Sequence, residues 1–138
     1  MARILVVEDY PSQQFVYAQT LIKAGHQVDT AEDGNEALRK TQEAQYDLVL
    51  LDMMLKNVTG MDFLRQFKAK EHPETKVVVF SHMISAAVVQ EAIELGAISY
   101  FTKSNYTAEE VLSSVDDVLK GNVATTPVQQ QPDETQAE

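Results

Sequence analysis

Five side chains able to do chemistry stand at or just after short, largely apolar runs in this chain. Glu8 and Asp9 follow residues 4–7, Asp52 follows 48–51, Ser81 follows 77–80, and Lys103 follows 97–101. Three carboxylates brought together repel one another unless a cation offsets their charge. Mg²⁺ suits such a set, because it takes one or two carboxylates and keeps water or phosphate oxygens as its other ligands. A hydroxyl and an ammonium beside it supply what a phosphoryl group needs, a hydrogen-bond donor and a counter-charge. Taken singly, the same residues have plainer roles. Glu8-Asp9 reads as a loop acid and a helix cap, Ser81 as a cap, Lys103 as solvated surface and Tyr100 as edge-strand packing. Convergence decides between these readings, so the elements that carry the residues come next.

Runs 4–7, 48–51 and 77–80 are continuous and apolar, as expected of strands buried on both faces of a parallel sheet. Runs 26–31 and 97–101 hold more polar or small residues and read as edge strands. Helical patterns lie between them. Ser12 is the expected cap of the first, with Phe15, Ala18, Leu21 and Ile22 facing inward and an end near Gly25. The second covers 34–44 around Ala37, Leu38 and Ala44, and the third carries Phe63, Leu64 and Phe67 and stops before Pro73. Ser85 caps a fourth that runs to Gly96. Thr107 caps the last, over 107–120, with Val111, Leu112, Val115, Val118 and Leu119 at helical spacing. Five strand–helix alternations predict a doubly wound, five-stranded parallel α/β sheet of order 2-1-3-4-5 flanked by five helices, the flavodoxin-like arrangement. Every strand's carboxyl end then opens on one rim, where Glu8, Asp9, Asp52, Ser81 and Lys103 meet.

These positions resemble the receiver domains of two-component response regulators, over about residues 2–120. The resemblance rests on Glu8-Asp9, on Asp52 with Gly60 eight residues on, on Ser81, and on Lys103 with Tyr100 three residues before it. It implies that Asp52 accepts a phosphoryl group from a histidine kinase or phosphotransfer protein. It implies Mg²⁺ held by Asp9, Asp52 and the backbone carbonyl of Met54, with Glu8 acting mainly through water. Lys103 would pair with a phosphoryl oxygen, Ser81 would move to hydrogen-bond another, and Tyr100 would turn inward behind it. The fourth helix, fifth strand and fifth helix would form the face that meets a downstream protein or a second copy, with Tyr100 and Val89 in contact. The chain departs from the family at Lys56 and Ser104, where proline is usual, and at His82, where a small residue is usual. Met54 and Met83 flank the acceptor, and being apolar they favour slow loss of the phosphoryl group, whereas His82 could position a water instead.

Other classes fit less well. An aspartyl phosphohydrolase needs a second Asp two residues after the nucleophile, and Met54 stands there. A flavodoxin-like cofactor carrier needs a Ser/Thr/Gly-rich phosphate loop, and Glu8-Asp9-Tyr10-Pro11 would repel a flavin phosphate. A degenerate receiver that only binds proteins would not need Asp9, Asp52, Ser81 and Lys103 together. The 138 residues suit one domain, expected over 1–121 with a disordered Gln/Pro/Thr-rich tail over 122–138. A net charge of −10 argues against nucleic acid, and the absence of cysteine removes disulfides and thiolate chemistry. No segment approaches a signal peptide or a membrane span, so a stand-alone cytoplasmic protein is expected. His26 and His72 read as surface residues.

Overall fold

The computed structural model describes residues 1–55, 58–81, 85–103 and 107–121. Five strands alternate with five helices: β1 (Arg3–Val7), α1 (Pro11–Lys23), β2 (Gln27–Ala31), α2 (Gly34–Glu43), β3 (Leu48–Asp52), α3 (Gly60–Phe67), β4 (Lys76–Ser81), α4 (Ala86–Glu94), β5 (Ser99–Thr102) and α5 (Ala108–Leu119). The strands pair in parallel in the order β2-β1-β3-β4-β5, so the expected doubly wound topology is the one found.

The central runs are apolar throughout because successive side chains point to opposite faces and both faces are covered. Leu5, Val7, Val49, Leu51, Val77 and Val79 point to one side, where Phe63, Leu64 and Phe67 of α3 and Ala92 of α4 cover them. Ile4, Val6, Leu48, Leu50, Val78 and Phe80 point to the other, beneath Leu21 of α1 and Val111, Val115 and Val118 of α5. Each Leu or Val so buried contributes about 1.5–3 kcal/mol relative to exposure. That two-sided packing fixes the strand ends, and with them the rim.

Helix starts are set by side-chain caps, each worth about 1 kcal/mol. Asp33 accepts from Glu36 N, Thr59 from Asp62 N and Ser85 from Val88 N, while Thr107 and Glu110 form a reciprocal capping box. The first helix differs from expectation. Its N-cap is Tyr10, with no side-chain cap, and Pro11 opens it, so Ser12 already lies inside. Proline tolerates that place because its missing N–H would have had no helical partner. Ala18 and Leu21 face inward as expected, but Phe15 and Ile22 are exposed and Tyr17 packs edge-on against Phe80 instead, ring centres 5.1 Å apart. The third helix stops well before Pro73, at Lys68, which takes a left-handed conformation (φ 56°) and leads into a single 3₁₀ turn.

Of the two described histidines, His72 lies at the surface with its side chain 45% exposed, but His26 does not. The His26 side chain is 10% exposed. Its Nδ1 accepts from Ala2 N at 3.2 Å and its Nε2 meets Asp116 at 3.0 Å, which ties the starts of β1 and β2 to α5. His72 stacks on Phe67 with ring centres 4.6 Å apart. At the same end of the sheet, Asp29 accepts from Arg3 (3.1 Å) and from the Tyr46 hydroxyl (2.7 Å). The Tyr46 hydroxyl bond, ahead of the arginine, holds the Asp29 carboxyl below its ordinary range, and burial with that bond pushes the Tyr46 phenol up to about 12. Among the described residues no helix is long and apolar enough to cross a membrane. Lys56, His82, Met83, Ser104 and the tail 122–138 lie outside the described residues.

Candidate functional site

Asp52 is the last residue of β3, paired in register with Phe80 of β4. It is 2% exposed, and its Oδ1 accepts from Met54 N at 2.9 Å. The close approach of α3 holds this strand end. A Cβ on Gly60 would come 2.6 Å from the Asp52 carbonyl oxygen and 2.7 Å from Met53 Cα. Gly60 is therefore required by contact with the very backbone that carries the acceptor candidate.

Glu8 and Asp9 leave β1 at the same rim. Carboxylate oxygens of Glu8, Asp9 and Asp52 all lie within 4.8 Å of one another. Glu8 is wholly buried; one of its oxygens accepts from Tyr10 N at 3.1 Å and the other from Lys103. Burial, aided by the nearby charge of Asp52, raises the Glu8 pKa although the Lys103 bond opposes it. Asp9 Oδ1 is buried and has no hydrogen-bond partner. A buried, unpartnered carboxylate oxygen beside two further acids is what a hard cation requires. The cluster of Glu8, Asp9 and Asp52 thus fits Mg²⁺. Both oxygens of Glu8 are engaged, by Tyr10 N and Lys103, as both of Asp52 are by Met54 N and Lys103.

Lys103 follows β5 and reaches across the rim. Its side chain is 3% exposed, its Nζ pairs with Glu8, and it lies 3.0 Å from Asp52 Oδ2. The ammonium also stands 4.8 Å from the Phe80 ring centre. Burial works against its charge, but the hydrogen bond to Glu8 and the charge of Asp52 outweigh burial and raise its pKa. The acids therefore do not simply repel one another, as their sequence alone suggests, because Lys103 is seated between two of them. Ser81 closes β4 and is fully buried at the same rim. Tyr100 is 3% exposed and packs in the core on the α3–α4 side of the sheet, so it is not an exposed contact in this conformation. Val89 is half-buried against the same core, and the exposed large apolar residue of α4 is Ile93, at 43%.

Two contributors escaped the sequence reading. Gln13 accepts from Lys103 Nζ at 2.8 Å, and Gln14 donates to the backbone oxygens of Glu8 (2.9 Å) and Ala31 (3.3 Å). Glutamines in the first turn of a helix carry no sequence signal that separates them from solvated surface. Only the two acids preceding α1 mark that turn as close to the rim.

A 2-1-3-4-5 sheet with acids, a hydroxyl and an ammonium on its carboxyl rim defines a receiver-type signalling domain. The response regulator receiver domain matches residues 4–116, and the chain belongs to that family. It is 30% identical over 119 residues to the chemotaxis protein CheY of Thermotoga maritima, covering 86% of this chain and 98% of CheY. It is 35% identical over 121 residues to the sensory transduction protein RegX3 of Mycobacterium tuberculosis, covering 87% of this chain but 52% of RegX3. The solved chemotaxis protein CheY4 of Vibrio cholerae superposes with a TM-score of 0.79 at 30% identity, over 86% of this chain and 98% of that one. Receiver domains are phospho-accepting domains that use Mg²⁺ and meet histidine kinases and downstream targets.

Proposed function

We propose that this chain accepts a phosphoryl group on Asp52, in a Mg²⁺-dependent reaction, from a histidine kinase or phosphotransfer protein. It then signals through a protein contact that depends on phosphorylation. The observation that carries this reading is the placement of Asp52. Its carboxylate is buried, held by Met54 N and Lys103, and adjacent to the unpartnered oxygen of Asp9.

In the reaction an Asp52 oxygen forms a bond to phosphorus while the phosphorus–nitrogen bond of a phosphohistidine breaks and the imidazole leaves with the electron pair. Holding the carboxylate by two donors fixes its approach, which lowers the entropic part of the barrier. Asp9, Asp52 and the Met54 carbonyl would hold Mg²⁺, which when bound would supply charge neutralisation on the phosphoryl oxygens. Lys103 gives a second counter-charge, and the Ser81 hydroxyl donates to another phosphoryl oxygen, with Tyr100 filling the space behind it. The receiver unit is 1–121, acting in the cytoplasm. Outgoing contact falls to the face of α4, β5 and α5, where Ile93 offers exposed apolar surface to a protein target or a second copy. A net charge of −10 disfavours nucleic acid as that target.

The test is intact mass after incubation with acetyl phosphate. The parent in Mg²⁺ gains one phosphoryl group, and both chelation and Asp52→Asn abolish the gain. Equal gain in Asp52→Asn rules the reading out.

A further inference from the structure

Lys103 Nζ has three acceptors within reach: Glu8, Asp52 Oδ2 at 3.0 Å and the Gln13 side-chain oxygen at 2.8 Å. An ammonium has three protons and no lone pair, so this set engages it completely. Two of the acceptors are carboxylates of the site itself. The third is a neutral amide from the first turn of α1 with no part in the chemistry so far described. Gln14, its neighbour, is the residue that fastens α1 to the sheet, through the Glu8 and Ala31 carbonyls.

We propose that Gln13 is a positioning residue for Lys103, a neutral acceptor that fills the third N–H until a phosphoryl oxygen takes its place. The inference rests on the reading of Asp52 as the acceptor. Its logic is one of graded strengths. Bonds from an ammonium to a carboxylate, both partners charged, are stronger than bonds to a neutral amide. Before transfer, while Asp52 is still an anion, an incoming phosphoryl oxygen is charged, so the amide is the partner it displaces most readily. Burial sharpens the choice, since the Lys103 side chain is 3% exposed and solvent cannot freely replace a missing acceptor. With no acceptor at this position the resting state would hold an unfilled N–H, and with a carboxylate there the ammonium would be held back from the phosphoryl group.

The full chain and its Gln13→Leu and Gln13→Glu variants are compared for the initial rate of phosphorylation by acetyl phosphate in Mg²⁺. Leucine removes the acceptor while keeping most of the volume, so the resting state loses a bond that the phosphorylated state lacks anyway. Its rate is expected to rise about fivefold, the factor that corresponds to a net hydrogen bond of ~1 kcal/mol. Glutamate is expected to slow the rate by about fivefold or more. Gln13→Met repeats the leucine arm if leucine disturbs folding. A second readout needs no phosphorylation: the ¹⁵N resonance of the Lys103 ammonium in metal-free protein should shift in both variants. A merely structural role would change both rates in the same direction, and that result, or an unmoved resonance, overturns the inference. If the parent labels and Asp52→Asn does not, while the Gln13 variants label at the parent's rate, only the role of Gln13 falls. If the parent takes no label, the acceptor reading falls and the role of Gln13 with it.

Discussion

Replacing Lys103 with methionine removes the positive charge seated between two buried carboxylates while keeping most of the apolar stem. Glu8 is fully inaccessible and Asp52 is 2% exposed, and removing one partner of a buried ion pair typically costs about 3–5 kcal/mol. The structure also makes that cost depend on pH. Glu8, already pushed up by burial and by the charge of Asp52, can take a proton. Protonation relieves the Glu8 part of the loss, and it is easier the lower the pH, so the destabilisation is smaller at pH 5.5 than at pH 7. The folded variant then binds a proton that the unfolded chain has lost, so its stability falls as pH rises above 4.5. In the parent the same trend is shallower, because the Lys103 bond opposes protonation of Glu8. The raised pKa of Lys103 itself stabilises the parent below 10.5 and is lost only as pH climbs through the folded value. Urea unfolding in EDTA at pH 5.5 and 7, extrapolated linearly to water, measures both losses. A destabilisation equal at the two pH values, or a Lys103→Met protein as stable as the parent at pH 7, would refute the reasoning.

Mg²⁺ at ten times its dissociation constant should stabilise the parent by about 1.4 kcal/mol. Asp9→Ala should abolish that response in a thermal melt, because it removes the unpartnered buried oxygen; an unchanged response would move the metal elsewhere. Gly60→Ala should cost about 1–3 kcal/mol by overpacking and should weaken the Mg²⁺ response as well, since its Cβ meets the Asp52 backbone. Gly34→Ala, whose Cβ would meet Val58 at 2.5 Å, should cost stability while leaving the Mg²⁺ response intact. Equal Mg²⁺ responses in the two glycine variants would separate Gly60 from the site.

The legibility of this chain in its sequence follows the range of the interactions involved. Runs 48–51 and 77–80 could be read as central strands because two-sided burial demands apolar residues at every position, and the topology rule then brought Asp52, Ser81 and Lys103 to one rim. Ser85 and Thr107 were readable as caps because a cap acts within its own first turn. Ser12 misled for the same local reason: it is a good capping residue, but Pro11 had already started the helix. His26 was not readable, since its partner Asp116 lies 90 residues away and neither residue type marks the pairing. Gln13 is hidden likewise, 90 residues from the ammonium that it contacts. Tyr100 was placed on the contact face by the resemblance, yet strand β5 is buried at all four positions because both of its faces are covered.

The central claim is that the phosphoryl group resides on the carboxylate of Asp52, and chemical trapping reads that position directly. The protein is phosphorylated with acetyl phosphate in Mg²⁺, reduced with borohydride, digested and sequenced by mass. An acyl phosphate is reduced to the alcohol whereas a free carboxylate is not, so the account predicts homoserine at position 52 and unmodified carboxyls at Glu8 and Asp9. Reduction at Glu8 or Asp9 with position 52 intact, or a phosphoryl group found on a hydroxyl or histidine, would contradict it.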